Sequence, residues 1–188
     1  MPTREEAFTL LKKYNESDNL ITHGLTVEAV MRYGAEKRGE DVEKWGIVGL
    51  LHDIDYEKYP EQHCIKAREI MSEEGWPEEY IHAVCSHGWG ICSDVEPVHI
   101  MEKYLFACDE LTGLINATCL MRPNKSVLDL TVKSVKKKWK SKGFAAGVDR
   151  NLVLKGAGML GLEIEDLMQE CIDGMKVAAE SIGLKGEL

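Results

Sequence analysis

His52 and Asp53 stand side by side at the end of an apolar run, Ile47-Val48-Gly49-Leu50-Leu51. Burial of that run carries an imidazole and a carboxylate to the edge of a core, where a shared metal ion is one way to satisfy both. The dipeptide alone is weak, because the six His and ten Asp of the chain would place such a pair by chance in roughly one sequence out of three. Its company strengthens it. His23 lies upstream in Thr22-His23-Gly24-Leu25, and Asp109 lies downstream in Ala107-Cys108-Asp109-Glu110-Leu111-Thr112-Gly113. Two imidazoles and two carboxylates on one ion leave positions open for water and substrate. A mixed nitrogen and oxygen set of this kind suits Mn, Fe, Co, Ni or Zn.

Helices must bring these side chains together. Apolar residues fall on one helical face from Glu5 to Tyr14. Asp18 or Asn19 opens a second helix that runs to Gly39, and a third starts near Asp41 and ends at the His-Asp pair. Pro60 marks a break before a stripe of Cys64, Ala67, Ile70 and Met71, and Pro77 opens the helix holding Tyr80, Ile81, Val84 and Cys85. A Gly-rich loop, His87 to Pro97, precedes a long helix from Val98 to about Leu120. Further helices are expected over Ser126–Lys142, Asp149–Leu160 and Ile164–Ile182. No strand alternation persists, so the fold class is all-α: a single domain over 1–188 with a core at about 18–121 and a helical extension at 122–188. His23, His52-Asp53 and Asp109 then come from three helices, whose interior faces can converge on one ion.

The hydrophobic and charged fractions, 44% and 29%, are those of an ordinary globular chain. No apolar h-region follows Met1-Pro2-Thr3-Arg4, and the uncharged stretch Leu111–Met121 is too short to span a bilayer, so no membrane partner and a cytoplasmic location are expected. Six cysteines without a C-x-x-C pair argue against a zinc module or a secreted disulfide scaffold. The net charge of −9 divides into −12 for residues 1–121 and +3 for 122–188. An acidic protein with one basic strip, Lys133 to Lys142, is a poor general nucleic-acid binder, and that strip reads as a solvated helix face. A small anionic substrate stays compatible.

The pattern His23 … His52-Asp53 … Asp109 resembles the HD-domain superfamily of metal-dependent phosphohydrolases, and the likeness extends through Cys108–Gly113 and Arg122-Pro123-Asn124-Lys125-Ser126. The resemblance implies a helical bundle with a divalent transition metal at its centre, held by those four residues. Binuclear members draw further histidines from places like His63 and His87, which implies a second ion bridged by Asp53. The activity implied is hydrolysis of a small phosphate ester, a nucleotide among the candidates, by metal-activated water. Asp53 is expected in the catalytic set, Asp55 and Glu57 to orient water or protonate the leaving group, and Arg122, Lys125 or Lys133 to offset the phosphate charge. The alternatives are a di-iron oxygenase on the same fold, which requires His63 and His87 as ligands, and a non-catalytic module that binds metal or nucleotide. His82 and His99 read as structural or surface residues.

Overall fold

Capping residues set most helix starts in this chain. Thr3 and Glu6 close a reciprocal capping box on α1 (Arg4–Tyr14), and Asp41 caps α3 (Val42–Leu51) through the Lys44 amide. Asp149 accepts from two amides at the start of α8 (Arg150–Leu160). Gly39 and Gly161, both left-handed, end α2 (Asp18–Arg38) and α8. The computed structural model describes residues 1–187. It adds α4 (Ile65–Glu73), α5 (Glu78–Ser86), α6 (Ile100–Leu120), α7 (Val132–Trp139) and α9 (Ile164–Val177), with a short 3-10 turn at Pro60–Gln62. No strand occurs among the described residues, and the all-α expectation holds.

α2 and α3 form a close antiparallel pair. A Cβ at Gly49 would lie 2.9 Å from the Val27 carbonyl oxygen and 2.8 Å from Met31 Cγ, so only glycine permits this approach. The approach places the end of α3, with His52, against the first turns of α2, with His23. α6 crosses behind them, its Tyr104, Leu105, Leu111 and Ile115 wholly buried. Residues beyond 121 fold back on this core. Gly156 of α8 packs on Ala107 of α6, where a Cβ would come within 2.5 Å of the Ala107 Cα. Buried Val127, Leu130, Val153, Met168 and Met175 belong to the same apolar cluster as Leu11, Met31 and Leu51.

The structure shortens several expected helices. Residues 126–131 are not helical: Ser126 and Asn124 side chains bond to nearby amides, and the Val127 amide donates to the Leu184 carbonyl. Such local bonds compete with a helical ladder, and α7 starts only after Thr131, which caps it through the Ser134 amide. α7 stops at Trp139, where the Arg150 guanidinium collects the carbonyls of Trp139, Ser141 and Phe144. α9 ends at Val177 and passes into turns. α6 begins at Ile100, because His99 and Glu102 form its capping box. His63 precedes α4 in the connecting segment. No helix among the described residues is long and apolar enough to cross a membrane.

Candidate metal centre

Six side chains converge at one end of the α2–α3 pair. His23 Nε2 lies 2.9 Å from Asp109 Oδ1 and 3.1 Å from His52 Nε2. Asp53 Oδ2 sits 3.3 Å from His52 Nε2 and 3.6 Å from His23 Nε2. The other Asp53 oxygen, Oδ1, is 3.3 Å from both His63 Nε2 and His87 Nε2, and those two nitrogens are 3.0 Å apart. Two donor sets thus adjoin, one of His23, His52, Asp53 and Asp109, the other of Asp53, His63 and His87, with the Asp53 carboxylate common to both.

Tautomers make the fit to a cation specific. His52 Nδ1 is 2.7 Å from the Gly49 carbonyl, His87 Nδ1 is 2.5 Å from the Val84 carbonyl, and His63 Nδ1 is 2.7 Å from Asp55 Oδ1. Carbonyl and carboxylate oxygens only accept, so each Nδ1 carries a proton, and each Nε2 presents a lone pair whenever its ring is neutral, as a metal ligand must be. The lone pairs of His63 and His87 face one another, and the lone pair of His52 faces His23. No hydrogen bond between neutral rings resolves the first pair, whereas a shared cation does. Bonds of about 2.1 Å set neighbouring ligands roughly 3.0 Å apart at right angles and roughly 3.4 Å apart at tetrahedral angles. The observed spacings fall around these values, and the outer hydrogen bonds are those that orient metal-bound histidines.

The electrostatics agree. Burial disfavours charge on His52, yet Asp53 and Asp109 outweigh it and hold its pKa well above the usual imidazole value. His63 is half-buried and is pushed up to about 10 by Asp53 and Asp55 against the same desolvation. Burial alone would raise Asp53 and Asp109, but the histidines hold both well below the usual carboxylate range. The cluster draws positive charge to itself, as protons or as metal ions.

These donors open onto a cavity of about 380 Å³. The rest of its lining includes the apolar Ile91, Phe106, Val148 and Leu152, the ring of Tyr56 against His63, and one further acid, Glu110. Phe106, Asp109, Glu110 and Gly113 occupy one face of α6 at i, i+3, i+4 and i+7. That spacing was available in the sequence and would have picked out Phe106 and Glu110. Val148 and Leu152, from the extension, carried no signal.

All six expected metal ligands are brought together, but the other expected site residues are not. Asp55 is wholly buried, accepts from His63 and from the Ala67 amide at 2.8 Å, and has no face toward the cavity. It positions His63 and cannot deliver a proton to a substrate. Glu57 accepts from the Glu16 and Ser17 amides at 2.9 and 3.0 Å, closing the start of α2. Arg122 lies beyond the end of α6, about 20 Å along the axis from Asp109 at 1.5 Å per residue. Its guanidinium is engaged by Asp129 in two bonds and by the Ser126 carbonyl. Lys125 is exposed in a turn and Lys133 is exposed on α7. None of the three lines the cavity. His82 bonds Glu102 and His99 caps α6, as structural roles require.

An all-helical bundle that brings histidines and aspartates within ligand distance of one another defines a class of helical proteins whose residues could hold a divalent metal. Residues 20–113 match the family model of the HD domain, and the chain belongs to that family, one of metal-dependent phosphohydrolases. Two curated relatives, both named Ribonuclease Y and from Nitratidesulfovibrio vulgaris strains DP4 and Hildenborough, are 30% identical over 101 residues. The match takes in 52% of this chain but spans only 18% of theirs. No solved structure matches.

Proposed function

We propose that the chain hydrolyses a small phosphate ester with two divalent ions, one on His23, His52, Asp53 and Asp109 and the other on Asp53, His63 and His87. The observation that carries this is the Asp53 carboxylate, whose two oxygens each face a separate set of imidazole nitrogens at 3.3 Å or slightly more. Bound there, divalent ions lower the pKa of water and polarise phosphoryl oxygens.

The chain's own residues supply the rest. Gly49, Val84 and Asp55 fix three imidazoles with their lone pairs directed inward. The cavity volume, near the lower end of the range for ligand pockets, supports a small substrate. Among the described residues no lysine or arginine lines it, although Lys155 Nζ lies 5.9 Å from the ring of Phe106, so the metal positions would meet most of the charge on the ester. That favours a monoester with an uncharged body over a polyphosphate or a nucleic acid. Glu110 is the one carboxyl among the described residues lining the cavity that is not in a donor set, and it accepts from the Asp149 amide at 3.3 Å.

The test is phosphate release from an aryl monoester and a nucleoside monophosphate, beside strand cleavage of an oligoribonucleotide, each with Mn²⁺, Co²⁺, Ni²⁺, Zn²⁺ or Mg²⁺. The expected result is metal-dependent turnover of monoesters, abolished in Asp53→Ala together with metal content. Cleavage confined to the oligoribonucleotide, the substrate that the relatives' name indicates, would overturn the small-ester reading. A second reading, a di-iron oxygenase, gains from the arrangement of His63 and His87 that it requires. Oxygen uptake by an iron-loaded protein that releases no phosphate would favour it.

A further inference from the structure

Beside the second donor set lies a pair of cysteines that the hydrolytic reading does not use. Cys64 Sγ and Cys92 Sγ are 3.4 Å apart. They meet over Gly88, where a Cβ would fall 2.5 Å from the Cys92 sulfur and 2.7 Å from the Cys64 sulfur, so glycine is the residue that leaves room for them. Cys64 directly follows His63, and Gly88 directly follows His87. The pair therefore joins, through adjacent backbone, the two segments that carry those imidazoles.

Access singles out Cys92, and its 3.4 Å contact singles out buried Cys64 as its partner. Cys92 is half-buried, lines the cavity in front of the donor sets, and with Cys64 also lines a groove on the outer surface. Cys108, Cys119 and Cys171 are wholly buried, and the Cys85 thiol is engaged with the Cys64 carbonyl. Cys64 also holds a positive φ of 68° at the start of α4, a conformation that a side-chain-bearing residue adopts only at a cost. A disulfide requires about 2.05 Å between sulfurs, so each must move by less than 1 Å from where it stands.

We propose that Cys64 and Cys92 are a dithiol that a hydroperoxide oxidises to a disulfide, and that the bond draws His63 away from the position it shares with His87. The second clause rests on the metal-centre reading above. In the first step the Cys92 sulfur attacks a peroxide oxygen and the O–O bond breaks. An alcohol, or water from hydrogen peroxide, departs, and the sulfur becomes a sulfenic acid, oxidised by two electrons. The Cys64 sulfur then attacks that sulfur, the S–S bond forms, the S–O bond breaks, and water leaves with the Cys64 proton. The peroxide is the two-electron oxidant.

The experiment treats the zinc-loaded full chain with one equivalent of hydrogen peroxide, then measures zinc after desalting and maps the peptides. A Cys64–Cys92 cross-link is expected, reversed by dithiothreitol, with zinc content halved on oxidation and restored on reduction. Cys64→Ser and Cys92→Ser should each form no cross-link and lose no zinc on the same treatment. Sulfenic acid at Cys92, trapped by dimedone, with Cys64 still a free thiol would overturn the disulfide. A cross-link with zinc unchanged would overturn the link to the metal position. A reduced protein that takes up no zinc would instead sink the metal-centre reading, and the peptide map would still decide the disulfide.

Discussion

Asp53 and Asp55 differ in task although only one residue separates them. Asp53 turns both oxygens toward imidazole Nε2 atoms at the cavity, whereas Asp55 turns inward and divides its oxygens between His63 Nδ1 and the Ala67 amide. Both Asp55 partners donate, so only a carboxylate serves both. In Asp55→Asn one partner would face an amide NH₂, and His63 would lose either its tautomer or its orientation. The expected outcome is a loss of about 10–100-fold in affinity at the His63–His87 position, the usual effect of removing an outer hydrogen-bond partner of a metal ligand. Stepwise calorimetric titration with Zn²⁺ would read it, and two unchanged binding steps would refute it. Residue types, read together with the family resemblance, pointed to His23, His52, Asp53 and Asp109, whereas each taken singly fits a cap or a satisfied buried hydrogen bond. They misjudged Asp55 and Glu57, since the amides that occupy a carboxylate are chosen by backbone brought from elsewhere: Ala67 for one, Glu16 and Ser17 for the other.

Helix ends were legible where a side chain caps them and illegible where tertiary contacts end them. Asp41, Gly39 and Asp149 act locally, so the sequence locates their helices within a residue or two. The failure of 126–131 to become helical depends on the Leu184 carbonyl, which periodicity cannot see. The contact that ties three elements together is equally remote. Glu170 of α9, 6% exposed, takes Arg38 of α2 at 2.9 Å and the Tyr104 hydroxyl of α6 at 3.0 Å, with Lys37 at 3.3 Å. Burial would raise its pKa, but the Arg38 bond and charge outweigh burial and hold it below the ordinary 4.5. A depressed carboxylate stabilises the fold at pH above its unfolded value, and that contribution fades as pH falls through the folded value. Glu170→Gln should therefore cost about 1.5–3 kcal/mol near pH 7, the range for hydrogen bonds to charged groups. The gap to the parent protein should narrow as pH drops below about 4.5, where an unfolded glutamate gains its proton. Urea unfolding across pH measures this, and a gap that stays constant into acid would show the charge to be irrelevant.

The donors of the centre come from α2, the end of α3, the segment before α4, the end of α5 and the middle of α6. No short piece of chain contains a complete donor set, so a cation bound there favours the folded state over any unfolded one. The free energy gained follows mass action: about 2.7 kcal/mol when free ion stands at 100 times its dissociation constant. For a protein of this length each kcal/mol moves the midpoint by about 2–4 °C. Loading the chelated protein with Zn²⁺ or Mn²⁺ should thus raise its melting temperature by about 5–10 °C for each position filled to that ratio, and the rise should keep growing with the logarithm of free metal after the sites are full. Asp53→Ala removes the carboxylate common to both donor sets and should abolish most of that increment while leaving the chelated fold in place. Calorimetric scans of both proteins at several buffered metal concentrations decide the matter. An equal metal-dependent rise in the variant would mean that the ions bind elsewhere on this acidic surface, and that the six converging side chains hold the fold together by hydrogen bonds alone.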